Sequence, residues 1–208
     1  MVTTILLVRH GQTEWNRVER FRGRADVPLN DNGLQQAEAT GRHVASQWQP
    51  AAIYSSPLSR AVKTAEAIGR QVGRTVEIHP GLVDIDYGDW QGLTPDEVRS
   101  HWPEMVDVWY NTPHLASIPE GETLGDLRVR AMRTVGDLAS RHAEQTIVLV
   151  SHTVVNRIIL LGVLGLGNDR FWHIRQEPCT INVFEVDAGD YTLISLNDTC
   201  HLSNHDPV

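Results

Sequence analysis

The chain has 208 residues, 41% hydrophobic and 21% charged, with a net charge of −8 at pH 7. Such a balance describes a soluble protein with a substantial core, and it excludes disorder, repeats and a membrane span, because polar residues break every apolar run. The acidic charge argues against a nucleic-acid partner, which needs a broad basic face, yet it leaves room for a few arginines holding one phosphate.

Taken in chain order, Thr3 to Val8 is short, β-branched and apolar, the pattern of a buried strand. No basic n-region precedes "MVTTILLV", so no signal peptide is expected. Cys179 and Cys200 have neither metal-type spacing nor a disulfide framework, which points to ordinary thiols in the cytoplasm. In "PLNDNGLQQAEATGRHVASQW" the steps between Leu34, Ala37, Gly41, Val44 and Trp48 predict a helix, with Asn30 as its N-cap. "AAIYSS" reads as a second strand. It leads into a helix, "PLSRAVKTAEAIGRQVG", with Pro57 in the first turn and Leu58, Ala61, Ala65, Ile68 and Val72 inward.

"TVEIH" is a third strand, followed by the loop "PGLVDIDYGDWQG". Thr94 and Glu97 form a capping box with Pro95 at the first helical position. Residues 101–120 carry three prolines and read as irregular. A helix then opens at Thr123, "TIVLVSH" is another buried strand, and Val154 to Leu164 is an apolar helix. Ile181 to Val186 and Tyr191 to Leu196 form a hairpin around "DAGD". This alternation predicts an α/β fold of three layers, α/β/α, around a mostly parallel sheet. No linker stands out, so residues 1–208 are read as one domain with an inserted lid at about 101–120.

Ligands of open α/β sheets gather at the carboxyl ends of the strands. Arg9 and His10 follow the first strand there, Arg60 opens the helix after the second, Asp84 and Asp86 follow the third, and Ser151 and His152 end the "IVLV" strand. Motifs for dinucleotides, a P-loop, a zinc protease or a nucleophile elbow are absent. A zinc ion on His10, His152 and Asp84 would be repelled by two arginines. His201 and His205 are four apart, but in a polar tail with no third ligand, which reads as a solvated terminus.

Two arginines, two histidines and an acid suit a phosphoryl group. Guanidinium forks neutralise its nonbridging oxygens, a neutral imidazole attacks in line, and a carboxyl group manages the proton of the leaving alkoxide. Gly11 would let the backbone approach closely.

With those residues in place, the sequence resembles the histidine phosphatase superfamily, also called phosphoglycerate mutase-like. The resemblance runs through "LVRHGQTEWN", "FRGRADVPLNDNGLQQA", "YSSPLSRAVKTA", "LVDIDYGDWQG", "PEGET" and "VLVSH", in order and over nearly the whole chain. It implies the phosphoglycerate mutase-like fold, His10 as a nucleophile that becomes phosphohistidine, and Asp84 as proton donor. Arg9, Asn16, Arg60 and His152 would hold the phosphoryl oxygens, and Arg22 and Gly23 would line the substrate side. No metal or organic cofactor is implied. Three positions depart from the family pattern: Asp84 stands where glutamate is commoner, Thr153 makes "SHT" of the usual "SHG", and Arg22 adds a charge that would favour a second anionic group on the substrate. Asp86 is the rival acid, although Asp86 and Asp89 read as loop carboxylates.

The function expected is hydrolysis of a small phosphomonoester. A cofactor-dependent phosphoglycerate mutase is the alternative, and its longer "ERHYG"-type acid loop is missing here. A noncatalytic phosphate-binding protein is a third reading. Trp102, Trp109, Tyr110 and His114 are candidates to wall the pocket, although aromatics in such a segment usually anchor a small core. A homodimer is the default for oligomeric state.

Overall fold

The computed structural model describes residues 1–202. Six strands form one sheet: β1 (Thr3–Arg9), β2 (Ala52–Ser55), β3 (Val76–Ile78), β4 (Thr146–Ser151), β5 (Ile181–Asp187) and β6 (Asp190–Asp198), in the order β3-β2-β4-β1-β5-β6. The four strands from β3 to β1 are parallel, and β5 and β6 run antiparallel at the other side. Because Val8 pairs with Val150 and Ser55 with Val150, the carboxyl ends of β1, β2 and β4 are level. Whatever follows each strand therefore arrives at one edge.

The helices are α1 (Glu14–Arg17), α2 (Asp31–Gln47), α3 (Ser59–Val72), α4 (Pro95–His101), α5 (Pro103–Asn111), α6 (Leu124–Arg141) and α7 (Thr153–Val163). The period of two along the central strands divides the core. Leu6, Val8, Ile53, Val148 and Val150 face the layer built by α2 and α3, and Ile5, Leu7, Leu149 and Ile147 face the layer holding α6 and α7. Caps set the helix starts: Asn30 Oδ1 accepts from the Gly33 N–H, and Thr123 Oγ1 from that of Asp126. The Thr94–Glu97 box is closed in both directions. Ala188 and Gly189, both at positive φ, make the two-residue turn of the β5–β6 hairpin.

Four local expectations are corrected. Residues 101–120 are not irregular: Pro103 occupies the first turn of α5, and the helix buries Val106 and Trp109. Pro103 and Pro113 start helical turns here, because a missing N–H costs nothing at a helix start. Leu34 faces solvent, since one more residue of helical rotation puts Gly33 and Gln36 inward instead. Pro57 precedes α3, whose N-cap is Leu58. His201 is not in a frayed tail: it sits half-buried in a 3-10 turn, Cys200–Leu202, packed on α2. His205 lies outside the described residues.

Candidate active site

His10 is the first residue beyond β1 and is almost wholly buried. Its backbone is tied on both sides, the N–H donating to the Ser151 carbonyl (3.0 Å) and the carbonyl accepting from Cys179 N–H (3.3 Å). The ring's Nδ1–H donates to the Gly11 carbonyl oxygen at 2.7 Å. A carbonyl can only accept, so the proton resides on Nδ1 and Nε2 keeps its lone pair. Burial, followed by the Arg60 charge, holds the imidazole well below its ordinary pKa, so that lone pair is available at neutral pH.

Gly11 permits a close backbone approach, here against the first turn of α2. A Cβ there would stand 2.5 Å from the Gly33 carbonyl oxygen, and one on Gly33 would stand 2.1 Å from the Gln12 carbonyl oxygen. The loop after β1 is pressed against the first turn of α2, and neither position has space for a methyl group.

His152 is the N-cap of α7 and completely buried, with its ring centroid 5.1 Å from that of His10. Its Nε2 lies 2.7 Å from Ser56 Oγ. With the serine hydroxyl as donor, the imidazole proton falls on Nδ1, which makes no hydrogen bond and points toward Asp84 Oδ2, 3.6 Å away. Burial and the nearby Arg60 charge hold this ring neutral too.

Arg60, on the first turn of α3, has no exposed surface. Its two terminal nitrogens donate to the carbonyls of Ala25 (2.7 Å) and Gly23 (2.8 Å), and Nη2 also reaches Asp84 Oδ2 at 3.3 Å. Gly23 supplies its carbonyl from φ +49°, where a side chain would also meet Gln91 Oε1 and the Ile85 carbonyl. Arg9 is anchored by one terminal nitrogen on the Gln176 carbonyl (2.5 Å). Asp84 accepts from Ile85 N–H (3.0 Å), and burial raises its pKa against the pull of Arg60.

Asp86 is placed otherwise. Its carboxylate caps Gly88 N–H and pairs with Arg24, both at 3.0 Å, and Asp89 is exposed. Arg22 donates to the Trp15 carbonyl. Asn16 spends its side-chain oxygen on Thr13, accepting from both the N–H and the hydroxyl of that residue.

Among the described residues, seven buried side-chain nitrogen or oxygen atoms have no hydrogen-bond partner, and five of them belong to Arg9, Arg22, Arg60, His152 and Thr153. Orphaned donors normally cost stability, so their concentration in one place marks where an anion completes the set. A cavity of about 220 Å³ adjoins them, reaching Asp84, Arg22 and Thr153. Trp109 and Tyr110 line it, Trp109 from within the core, whereas Trp102 packs on the core and His114 faces solvent.

A family model described as histidine phosphatase superfamily (branch 1) matches residues 5–199. The chain belongs to the histidine phosphatase superfamily. Among its relatives, Phosphoserine phosphatase 1 of Hydrogenobacter thermophilus is 32% identical over 198 residues, 95% of this chain and 93% of that one. Glucosyl-3-phosphoglycerate phosphatase of Mycolicibacterium vanbaalenii is 33% identical over 82% of this chain and 78% of its own. The solved structure of Bacillus stearothermophilus YhfR superposes with a TM-score of 0.92 at 32% identity, covering 97% of this chain and 100% of that one. This histidine phosphatase therefore has the phosphoglycerate mutase-like fold and is a hydrolase of phosphomonoesters.

Three contributors escaped sequence reasoning. Ser56 orients His152, and Arg130 donates to the Gly81, Val83 and Asp84 carbonyls, holding the acid loop in shape. Arg157 lines the cavity, its guanidinium 5.1 Å from the Phe171 ring centroid and 5.0 Å from that of Trp172. Only Arg157 left a signal, as the one charge in the apolar run "VVNRIILLGV". No described helix is long and apolar enough to cross a membrane.

Proposed function

We propose that this phosphatase works through a phosphohistidine on His10, with Asp84 handling the proton in both halves of the reaction. The supporting observation is the Nδ1–H of His10 held by the Gly11 carbonyl, which leaves Nε2 unprotonated beneath a cluster of arginines. Arg9, Arg60, His152 and Thr153 take the nonbridging oxygens, satisfying their orphaned donors, and Asn16 closes the same rim. Nε2 attacks phosphorus in line while the bond to the ester oxygen breaks, and Asp84 gives its proton to the departing alkoxide. The bound phosphate also offsets the arginine charge that pulls the Asp84 pKa down, which favours the protonated acid when it is needed. Water then attacks the phosphohistidine, its proton passing to the Asp84 carboxylate, and inorganic phosphate leaves with His10 neutral again.

The leaving-group side is the cavity, with α5 and its neighbours, residues 101–120, covering a single domain of residues 1–208. Arg22 and Arg157 form no ion pair among the described residues, and aromatic rings flank Arg157. This fits a small phosphomonoester carrying a second anionic group. Two of the relatives are named for phosphoserine and glucosyl-3-phosphoglycerate, both of which bear a carboxylate.

Rapid quenching with radiolabelled substrate tests the chemistry: the wild type should hold an acid-labile label that His10→Ala lacks. A label surviving that substitution moves the nucleophile elsewhere, with His152 the first suspect. A panel of phosphomonoesters scored for both hydrolysis and phosphoryl return tests the substrate, and transfer to a phosphoglycerate in preference to water would favour the mutase reading.

A further inference from the structure

Outside the lining of the cavity, a second group of side chains has ligand chemistry with no part in hydrolysis. One nitrogen each from His43 and His201 and the sulfur of Cys200 lie within 4.8 Å of one another. They come from two segments distant in sequence, α2 and the 3-10 turn after β6. We propose that His43, Cys200 and His201 bind one borderline-soft divalent cation of the zinc class, joining α2 to the turn that follows the sheet.

The hydrogen bonds around His201 carry the argument. Thr40 Oγ1 donates its only proton to the Gln36 carbonyl (2.8 Å), so toward His201 Nε2, 3.0 Å away, it can only accept. That fixes the proton on Nε2 and leaves a lone pair on Nδ1, which is buried and makes no hydrogen bond. The Cys179 backbone carbonyl also hydrogen-bonds this ring, while Nδ1 has no partner within hydrogen-bond geometry. Holding one ring N–H on a fixed acceptor while the other nitrogen stays bare is how metal-binding histidines are oriented.

Asp198 supplies the charge. Its carboxylate accepts from the Cys200 backbone N–H at 2.9 Å, bonds the Cys200 thiol, and interacts with both histidines. When the cation binds, the sulfur–hydrogen bond breaks, the proton leaves to solvent, and the thiolate becomes the third ligand, with Asp198 or a water in the fourth position. Two imidazoles and a thiolate select zinc over the hard cations magnesium and calcium. The His43 and His201 rings stack at 14° with centroids 5.0 Å apart, so His43, the ring not held by Thr40, must turn for both lone pairs to meet one ion.

Cobalt(II) titration of protein without an affinity tag tests this. One equivalent should produce a thiolate-to-cobalt charge-transfer band that zinc abolishes, and zinc should raise the Tm. Cys200→Ser should lose the band, and His43→Ala should weaken zinc binding by roughly tenfold or more. Both should hydrolyse p-nitrophenyl phosphate like the wild type, which separates this site from the catalytic one. His10→Ala should keep the band. A wild type without the band, zinc affinity unchanged in both surface variants, or a band lost with His10 would each overturn the proposal.

Discussion

Asp84 Oδ2 lies 3.6 Å from His152 Nδ1, a separation too long for a hydrogen bond between two groups that are both buried. In the proposed mechanism this gap leaves the imidazole donor for a phosphoryl oxygen and the carboxyl group for the ester oxygen. The importance of Asp84 should then depend on the leaving group. In single-turnover phosphorylation, Asp84→Asn should slow an alkyl phosphate by about 10²–10⁴-fold, the usual scale of general acid catalysis, and slow p-nitrophenyl phosphate much less. Asp86→Asn should show no such selectivity, since its carboxylate is spent on Gly88 and Arg24. Equal losses with both esters for Asp84→Asn, with selectivity in Asp86→Asn, would transfer the role.

Arg60 joins the loop of Gly23 and Ala25 to the acid. Arg60→Ala should cost about 2–4 kcal/mol in kcat/KM, the scale for losing an electrostatic clamp. Arg60→Lys should recover little, because one ammonium cannot reach both carbonyls and still face a phosphoryl group. Activity within a few-fold of wild type in either variant would contradict this geometry.

Arg157 should act on substrate selection. Arg157→Ala is expected to raise KM for phosphoserine, by the roughly 1.5–3 kcal/mol of a charge-assisted hydrogen bond, and to leave KM for p-nitrophenyl phosphate nearly unchanged. An equal effect on both would make it a packing residue held against Phe171 and Trp172.

Stability should fall on mild acidification. His10 and His152 are held below the ordinary pKa of about 6.5 when folded and regain it when unfolded, so the unfolded chain takes up more protons as the pH drops below that value. Their contribution is complete above pH 6.5 and shrinks as pH falls toward the lowered folded values. Asp84 has the opposite sign: its pKa is raised on folding, so its contribution is present below the unfolded value and fades as pH rises. Urea midpoints should therefore decline from pH 7.5 to pH 5, and less steeply in His10→Ala. Parallel slopes for the two proteins would show that His10 does not titrate this way.

The ends of β1 and β4 were legible because buried strands leave contiguous apolar runs, and chemistry follows them directly: Arg9 and His10, then His152; Asp84 lies in the loop beyond the exposed β3. Helix α5 was hidden because its one proline, Pro103, sits in the first turn, where the chain tolerates it. Gly11 was legible as a point of close backbone approach, but its neighbour Gly33 was not, since only the fold brings the two together. The His43, Cys200 and His201 cluster was invisible for a similar reason: residues 43 and 200 are neighbours only after the sheet has formed, so spacing along the chain carries no trace of them.

The tie between the backbones of His10 and Cys179 has a consequence for synthesis. His10, the proposed nucleophile, is synthesised well before Cys179, whose N–H it holds, and before Gln176, whose carbonyl anchors Arg9. A nascent chain stalled after β4 would display His10 and His152 with neither anchor in place. On the proposed mechanism, chains truncated before Gln176 should be inert toward phosphate esters.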